Sequence, residues 1–228
     1  MITEIGLDIW TMEGPELVFA GAEMGTRMTI VKLASGDLWV HSPVALDAAT
    51  IEYLTLLGGP VRHLVAPNRF HHLFLSQWRE RWPSAVVYAE SGLLKKIPAI
   101  EPALTLSNDA PPAYRADIEQ ILFDCNPFFS EAIFFHRPSA TLILTDLFIN
   151  LCVDHVPLLP RLFLRFEQVI YPHGGMPRLL RWTTRDKVRA RTVFQQLLDW
   201  QPRQITFAHG QPLAGSPEEI IHQQFDWV

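Results

Sequence analysis

The 228 residues carry 19 Lys and Arg against 24 Asp and Glu, a formal charge of −5, with 48% hydrophobic and 19% charged residues. That composition supplies an ample core and excludes a disordered chain. The scattered basic residues exclude a nucleic-acid surface held by phosphate contacts, while a small anionic substrate stays open.

Two cysteines, Cys125 and Cys152, cannot form a disulfide framework or an all-cysteine zinc knot, so a reducing compartment is favoured. No basic stretch precedes an apolar run at Met1 to Ile5, and no segment approaches the ~18 apolar residues of a span. The expectation is a cytoplasmic protein with neither a membrane nor a nucleic-acid partner.

Thr29 to Leu33 and Asp37 to Val40 read as a hairpin joined by Ala34-Ser35-Gly36. Asp47 is placed to cap a helix whose Ile51, Leu54 and Leu57 share a face and which Gly58-Gly59 stops. Val61 to Ala66 reads as a buried strand, Leu73 to Trp82 as a helix with Leu75, Trp78 and Trp82 on one stripe, and Ala85 to Ala89 as the next strand.

The prolines between Ile97 and Ala113 predict a long loop, the one place where a lid is expected. Strands return at Ile118 to Asp124, Ala132 to Phe135 and Thr141 to Thr145, the last two flanking a tight turn at Arg137 to Ala140. Leu151 to Arg181, with four prolines and His173-Gly174-Gly175, reads as irregular. Thr183 is expected to cap a long helix carrying Ala190, Val193 and Leu197, Gln204 to Ala208 to form a strand, and Ser216-Pro217-Glu218-Glu219 to open a terminal helix with a capping box. No linker divides the chain, and residues 1–228 read as a single mixed α/β domain.

Polar chemistry gathers at strand ends in such folds. His71-His72 follows one apolar strand, Thr145-Asp146 ends another and His209-Gly210 a third. Three imidazoles and a carboxylate converging from different elements are what a hydrolytic metal centre needs. His71 has a second reading, because on a regular helix it shares the Leu75, Trp78 and Trp82 stripe and packs as core. Consecutive helical residues diverge by about 100°, so both histidines reach one ion only from an irregular turn.

If His136 pairs with Thr141, the register carries Glu131 opposite Asp146, and two adjacent carboxylates call for a cation, a proton or an arginine such as Arg69 or Arg137 between them. The same register leaves His136 about 17 Å away at the turn end, a poor ligand. His41 ends a strand and reads as structural, although it could line the same cleft. Neither a phosphate-binding glycine loop nor a G-x-S-x-G elbow is present.

Strand, histidine turn and helix, then a Thr-Asp strand, then a His-Gly strand: over about Thr29 to Gln211 this order resembles the metallo-β-lactamase superfamily. More narrowly, Pro67-Asn68-Arg69-Phe70-His71-His72, Leu38 to Pro43 and Leu144-Thr145-Asp146 resemble an uncharacterised branch grouped among domains of unknown function. The resemblance implies a four-layer αββα sandwich with mixed sheets. Laid on the signature H-x-H-x-D-H, the turn puts Pro67 and Arg69 at the first two histidines and His71 at the aspartate, and Asn126-Pro127 stands where a further histidine belongs.

One ion site is then implied, with His71, His72, Asp146 and His209 as ligands to a single divalent metal, zinc first and iron or manganese as alternatives. Asp146 and Glu131 are the expected catalytic carboxylates, and Arg69 with Asn68 is expected to hold an anionic substrate group. The function implied is a metal-dependent hydrolase acting on a small molecule. The alternative is a catalytically inactive binding protein that has lost its site, and a weaker third reading is an iron-dependent oxidoreductase.

Overall fold

Side chains along the central strands alternate between two apolar faces, so each sheet must be covered on both sides. The computed structural model describes residues 2–19, 21–97, 100 and 102–228. Antiparallel strands come first: β1 (Ile2–Gly6), β2 (Ile9–Glu13), the small pair β3 (Leu17–Phe19) and β4 (Ala22–Met24), β5 (Arg27–Lys32) and β6 (Leu38–His41). Then come α1 (Ala48–Leu57), β7 (Val61–Ala66), α2 (Leu75–Arg81), β8 (Val86–Ala89), α3 (Ser91–Lys96) and β9 (Leu104–Thr105). They form a sheet of order β1-β2-β5-β6-β7-β8-β9, antiparallel up to β6 and parallel beyond it.

The later elements are β10 (Ile118–Phe123), β11 (Glu131–His136), β12 (Thr141–Ile143), β13 (Ile149–Asn150), α4 (Leu158–Glu167), α5 (Arg178–Thr183), α6 (Lys187–Asp199), β14 (Gln204–Thr206), β15 (His209–Gly210) and α7 (Pro217–Gln224). A second sheet runs β10-β11-β12-β14, its last pair parallel, and β13 pairs with β15.

Val31, Trp39 and Val65 of the first sheet meet Ala132, Phe134 and Ile143 of the second in one buried cluster between the sheets. On the outer face of the first sheet, Ile30, Val40 and Leu64 pack against Leu54, Trp78 and Leu93 of α1, α2 and α3. On the outer face of the second, Ile133 and Leu142 pack against Val193 and Leu197 of α6 and Ile221 of α7. The result is the four-layer αββα sandwich with mixed sheets, in which each fully buried aliphatic side chain contributes about 1.5–3 kcal/mol.

Local sequence dictates many boundaries. Asp47 caps α1 and Gly58 ends it at φ +66°; the capping box at Ser216 and Glu219 opens α7. The hairpin before β6 closes through Gly36 at φ +87°, and His136 pairs with Thr141.

Several expectations are corrected. The stretch from Leu151 to Arg181 is not irregular, because Pro157 stands at the N-cap of α4 and Pro160 in its first turn, where no intrahelical N–H is needed. Thr183 ends α5 rather than capping the long helix; Asp186 caps α6, accepting from the Arg189 N–H. The segment after Ile97 is no free lid: Leu106 and Tyr114 are anchored between the sheets and β9 adds an edge strand. Pro98, Ala99 and Glu101 of that segment lie outside the described residues. Cys125 is buried and Cys152 is exposed.

Candidate metal centre

The ends of β6, β7, β12 and β15 meet at one edge of the sandwich. His71 follows β7 on a run of turns rather than on α2, which frees its ring from the helical stripe. Its Nε2 lies 3.2 Å from Asp146 Oδ1, His209 Nε2 lies 3.1 Å from the same oxygen, and the two Nε2 atoms are 3.3 Å apart.

The second nitrogen of each ring is held from behind. His209 Nδ1 lies 2.7 Å from the Gly25 carbonyl, which can only accept, so that nitrogen carries the proton and Nε2 of the neutral ring is a bare lone pair. His71 Nδ1 bonds Ser42 Oγ at 2.5 Å, from a serine at φ +56° just past β6.

With both rings neutral and each ring proton on Nδ1, three acceptors face one another and repel unless a cation lies among them. One proton bridges one pair, whereas here all three edges are nearly equal. Tetrahedral bonds of about 2.0–2.1 Å space donor atoms about 3.3–3.4 Å apart, so the donor set fits one borderline divalent ion. Burial pushes the Asp146 carboxyl up, but His71 and His209 outweigh it and hold the carboxyl well below the usual carboxylate range. Burial pushes His209 down, and the Asp146 carboxylate more than compensates, so its net shift is upward.

A buried knot holds this geometry. Asn68 Oδ1 accepts from the Phe70 and His71 N–H groups at 2.9 and 3.2 Å, setting the turn. Its Nδ2 donates to Asp146 Oδ2 at 2.8 Å, Thr145 Oγ1 at 3.2 Å and Glu131 Oε2 at 3.3 Å. The carboxylates are thus separated by an amide, not by an arginine; Arg137 instead pairs with Glu119 at 2.8 Å. Glu131, fully buried, accepts from the backbone of Thr145, Asp146 and Leu147 at 2.8, 2.7 and 3.1 Å. Burial, then the neighbouring Asp146 charge, push its carboxyl up.

Of the residues singled out from sequence, His71, Asp146 and His209 come together and His72 does not. The His72 ring leaves the turn in another direction, lines the cavity beside the centre, and has its pKa lowered by burial and Lys96. Asn68 is wholly buried, with its amide committed inside the knot, so it offers nothing to a substrate. Arg69 does not line the cavity; its guanidinium lies beside Gly92 of α3. His136, at the turn end, bonds Ser139. His41 is buried, stacked on Trp39, rather than part of the cleft. His173-Gly174-Gly175 forms a turn folded around Asn150, where a Cβ on Gly174 would come within 2.4 Å of the Ile149 carbonyl.

Sequence reasoning did not find the cavity. It measures about 700 Å³, with His71, Asp146 and His209 on its floor and mostly apolar walls from the β3–β4 pair, α4, α5 and residues 126–129. Among the described residues Lys96 is the one lysine or arginine on its lining, with Nζ 3.2 Å from the Arg69 carbonyl. Asn126, at the position where a histidine was sought, repeats the Asn68 turn: Oδ1 accepts from Phe128 and Phe129, and Nδ2 donates to Leu180, Thr183 and Thr184. Ser42 could have been suspected as another polar residue ending a strand; the Gly25 carbonyl carries no sequence signal.

The family described as Domain of unknown function (DUF4336) matches residues 7–168, a range that includes His71 and Asp146 but not His209. No match was found among curated proteins. Solved structures share the fold at low identity. A metallo-beta-lactamase from Pontibacter korlensis is 13% identical with a TM-score of 0.65, over 100% of this chain and 97% of that one. The metallo-beta-lactamase FIM-1 from Pseudomonas aeruginosa in its mono-zinc form is 15% identical with a TM-score of 0.60, over 99% and 94%. A metal-soaked Flv1 flavodiiron core from Synechocystis is 12% identical with a TM-score of 0.67, over 100% of this chain and 60% of that one. The fold is that of the metallo-β-lactamases.

Proposed function

The chain belongs to the DUF4336 family, and we propose that it is a metal-dependent hydrolase with one divalent ion, zinc first, held by His71, Asp146 and His209. The observation that carries this reading is the convergence of three possible ligand atoms, 3.1–3.3 Å apart, beside an apolar cavity. A fold neighbour described in a mono-zinc form supports a single-ion centre. A divalent cation bound there supplies Lewis acidity.

The protein's own groups divide the remaining work. Asp146 stays ionised at neutral pH, and its carboxylate can orient a water or accept its proton. Glu131, Asn68 and Ser42 act as positioning residues, each holding a ligand or its loop. Apolar walls lower the local dielectric and strengthen charge interactions beside the centre. Lys96, rather than Arg69, is the cation available to an anionic substrate group.

Metal content of the purified protein after incubation with zinc, manganese or iron tests this. About one equivalent is expected in the parent and little in a His71→Ala, His209→Ala variant. Retention would then justify a screen of small esters, thioesters, lactones and phosphoesters, with activity expected to fall along with the metal. No ion in either protein would overturn the reading and leave the binding-protein alternative.

A further inference from the structure

The surface around α4 is built unlike the rest of the molecule. Successive helical residues turn by about 100°. On α4 this sets Leu158, Leu162 and Phe166 in one row and Leu159 and Phe163 in the next, all five exposed, Leu159 at 78%. Leu164 and Glu167 face inward on one side of this band, and the exposed Arg161 and Arg165 border it on the other. The band does not end with the helix. Trp182 of α5, 67% exposed, meets Phe166 edge-on at 5.7 Å, and Arg178 lies over both rings at 5.0 and 5.6 Å.

Phe163 belongs at once to this face and to the cavity lining, and the exposed Val18 and Leu179 line the cavity with it. A Cβ on Gly21 would come within 2.9 Å of Pro160, which ties the β3–β4 turn to the helix. So large a contiguous apolar patch on a globular surface marks a contact site.

Charge decides what covers it. Between residues 155 and 185 five arginines stand against a single acid, Glu167, so this segment carries +4 in a chain of −5 and the remainder carries −9. Among the described residues no ion pair holds Arg161, Arg165 or Arg178. A second copy meeting this face in a two-fold contact would set arginines against arginines. An anionic surface with an apolar interior satisfies both features, with the band entering the acyl zone, arginines at the headgroups and Trp182 at the boundary.

We propose that the α4 face docks peripherally on an anionic lipid bilayer, bringing the cavity mouth to the membrane. No helix among the described residues is long and apolar enough to cross a membrane, and a peripheral face needs none. The inference rests on this surface alone, not on metal binding or hydrolysis.

Flotation of the full chain with phosphatidylcholine vesicles, with and without phosphatidylglycerol, tests it. The parent is expected to float with the anionic vesicles, far less with the neutral ones, and to be released by salt. Arg161→Glu, Arg165→Glu should weaken binding more than about tenfold, since each basic residue near the surface contributes several-fold. Leu159→Asp, Leu162→Asp should abolish it; all four positions are exposed, so circular dichroism and melting should match the parent. His71→Ala, His209→Ala should float like the parent, which keeps this result separate from the metal reading. A parent that stays in solution with both vesicles, or an aspartate variant that binds as well as the parent, would overturn the proposal. So would a parent that does not float but sediments as a dimer broken by Leu159→Asp, Leu162→Asp, which assigns the face to a second copy.

Discussion

Two groups of sequestered histidines lie within a few strands of each other and behave differently. Between the sheets, His41 stacks on Trp39 at 5.6 Å, His63 tilts against Tyr88 at 5.8 Å, and His136 bonds Ser139. The Nε2 atoms of His41 and His136 have no hydrogen-bond partner among the described residues. At the strand ends, His71 and His209 each have one nitrogen held and the other aimed at a shared carboxylate. Removal from water does not make an imidazole a ligand. On the proposed reading convergence does, with a partner behind the ring fixing its direction.

The largest test breaks that convergence without touching an imidazole. Asn68→Ala leaves Glu131 and Asp146 with no amide between them and is expected to lower stability by about 3–5 kcal/mol, with loss of the bound ion. Chemical denaturation and metal analysis would read both. Asn126→Ala, which unties only neutral partners, should cost about 1–3 kcal/mol and leave metal content unchanged. Equal losses would mean that the carboxylates are not what distinguishes the two knots.

Acid should separate the two histidine groups next. Burial lowers His41 to about 3 and lowers His63 and His136 below their ordinary 6.5. Below pH 6.5 the unfolded chain therefore takes up protons that the folded chain does not, so stability complete above 6.5 is lost as pH falls. His41 alone should remove about 2 kcal/mol between pH 6.5 and 5. His209, shifted upward, works in the opposite direction when no ion is bound: its contribution is full below 6.5 and fades as pH rises through the folded value. Denaturation midpoints at pH 5 and 7 for the parent and His41→Asn would show whether the inter-sheet group sets the acid limit.

The smallest change is Ser42→Ala. It removes only the partner behind His71 and is expected to weaken metal affinity about tenfold while melting stays near the parent's. Unchanged affinity would show that the turn set by Asn68 suffices to aim the ring.

Much of the site was legible because strand ends are marked in sequence by polar residues after apolar runs, as at Asp146 and His209. The hairpin register also brought Glu131 to Asp146 correctly, since a tight turn at Arg137 to Ala140 leaves little freedom. What intervened between the carboxylates was not legible: Asn68 reaches across 78 residues to Asp146, and nothing local predicts such a contact. That His72 lies apart from the cluster was not legible for a related reason, since tandem spacing says nothing about which ring a serine 29 residues upstream of His71 will catch. The α4 helix was hidden by two prolines that are harmless where they stand. The cavity is a property of walls from four distant segments, and no single segment advertises it.

The centre also ties together the beginning and end of the chain. His209 leans on Gly25, 184 residues away, and Arg27 spans the Phe207 and Gly210 carbonyls at 2.8 and 2.9 Å. Contacts of that separation carry a large loop-closure cost unless the intervening strands are already in place. A chain still being synthesised holds two of the three proposed donors before it can present the third, and on the proposed reading an ion can be gripped by all three only once the fold is complete. Occupancy of the centre would then report that the whole sandwich has closed.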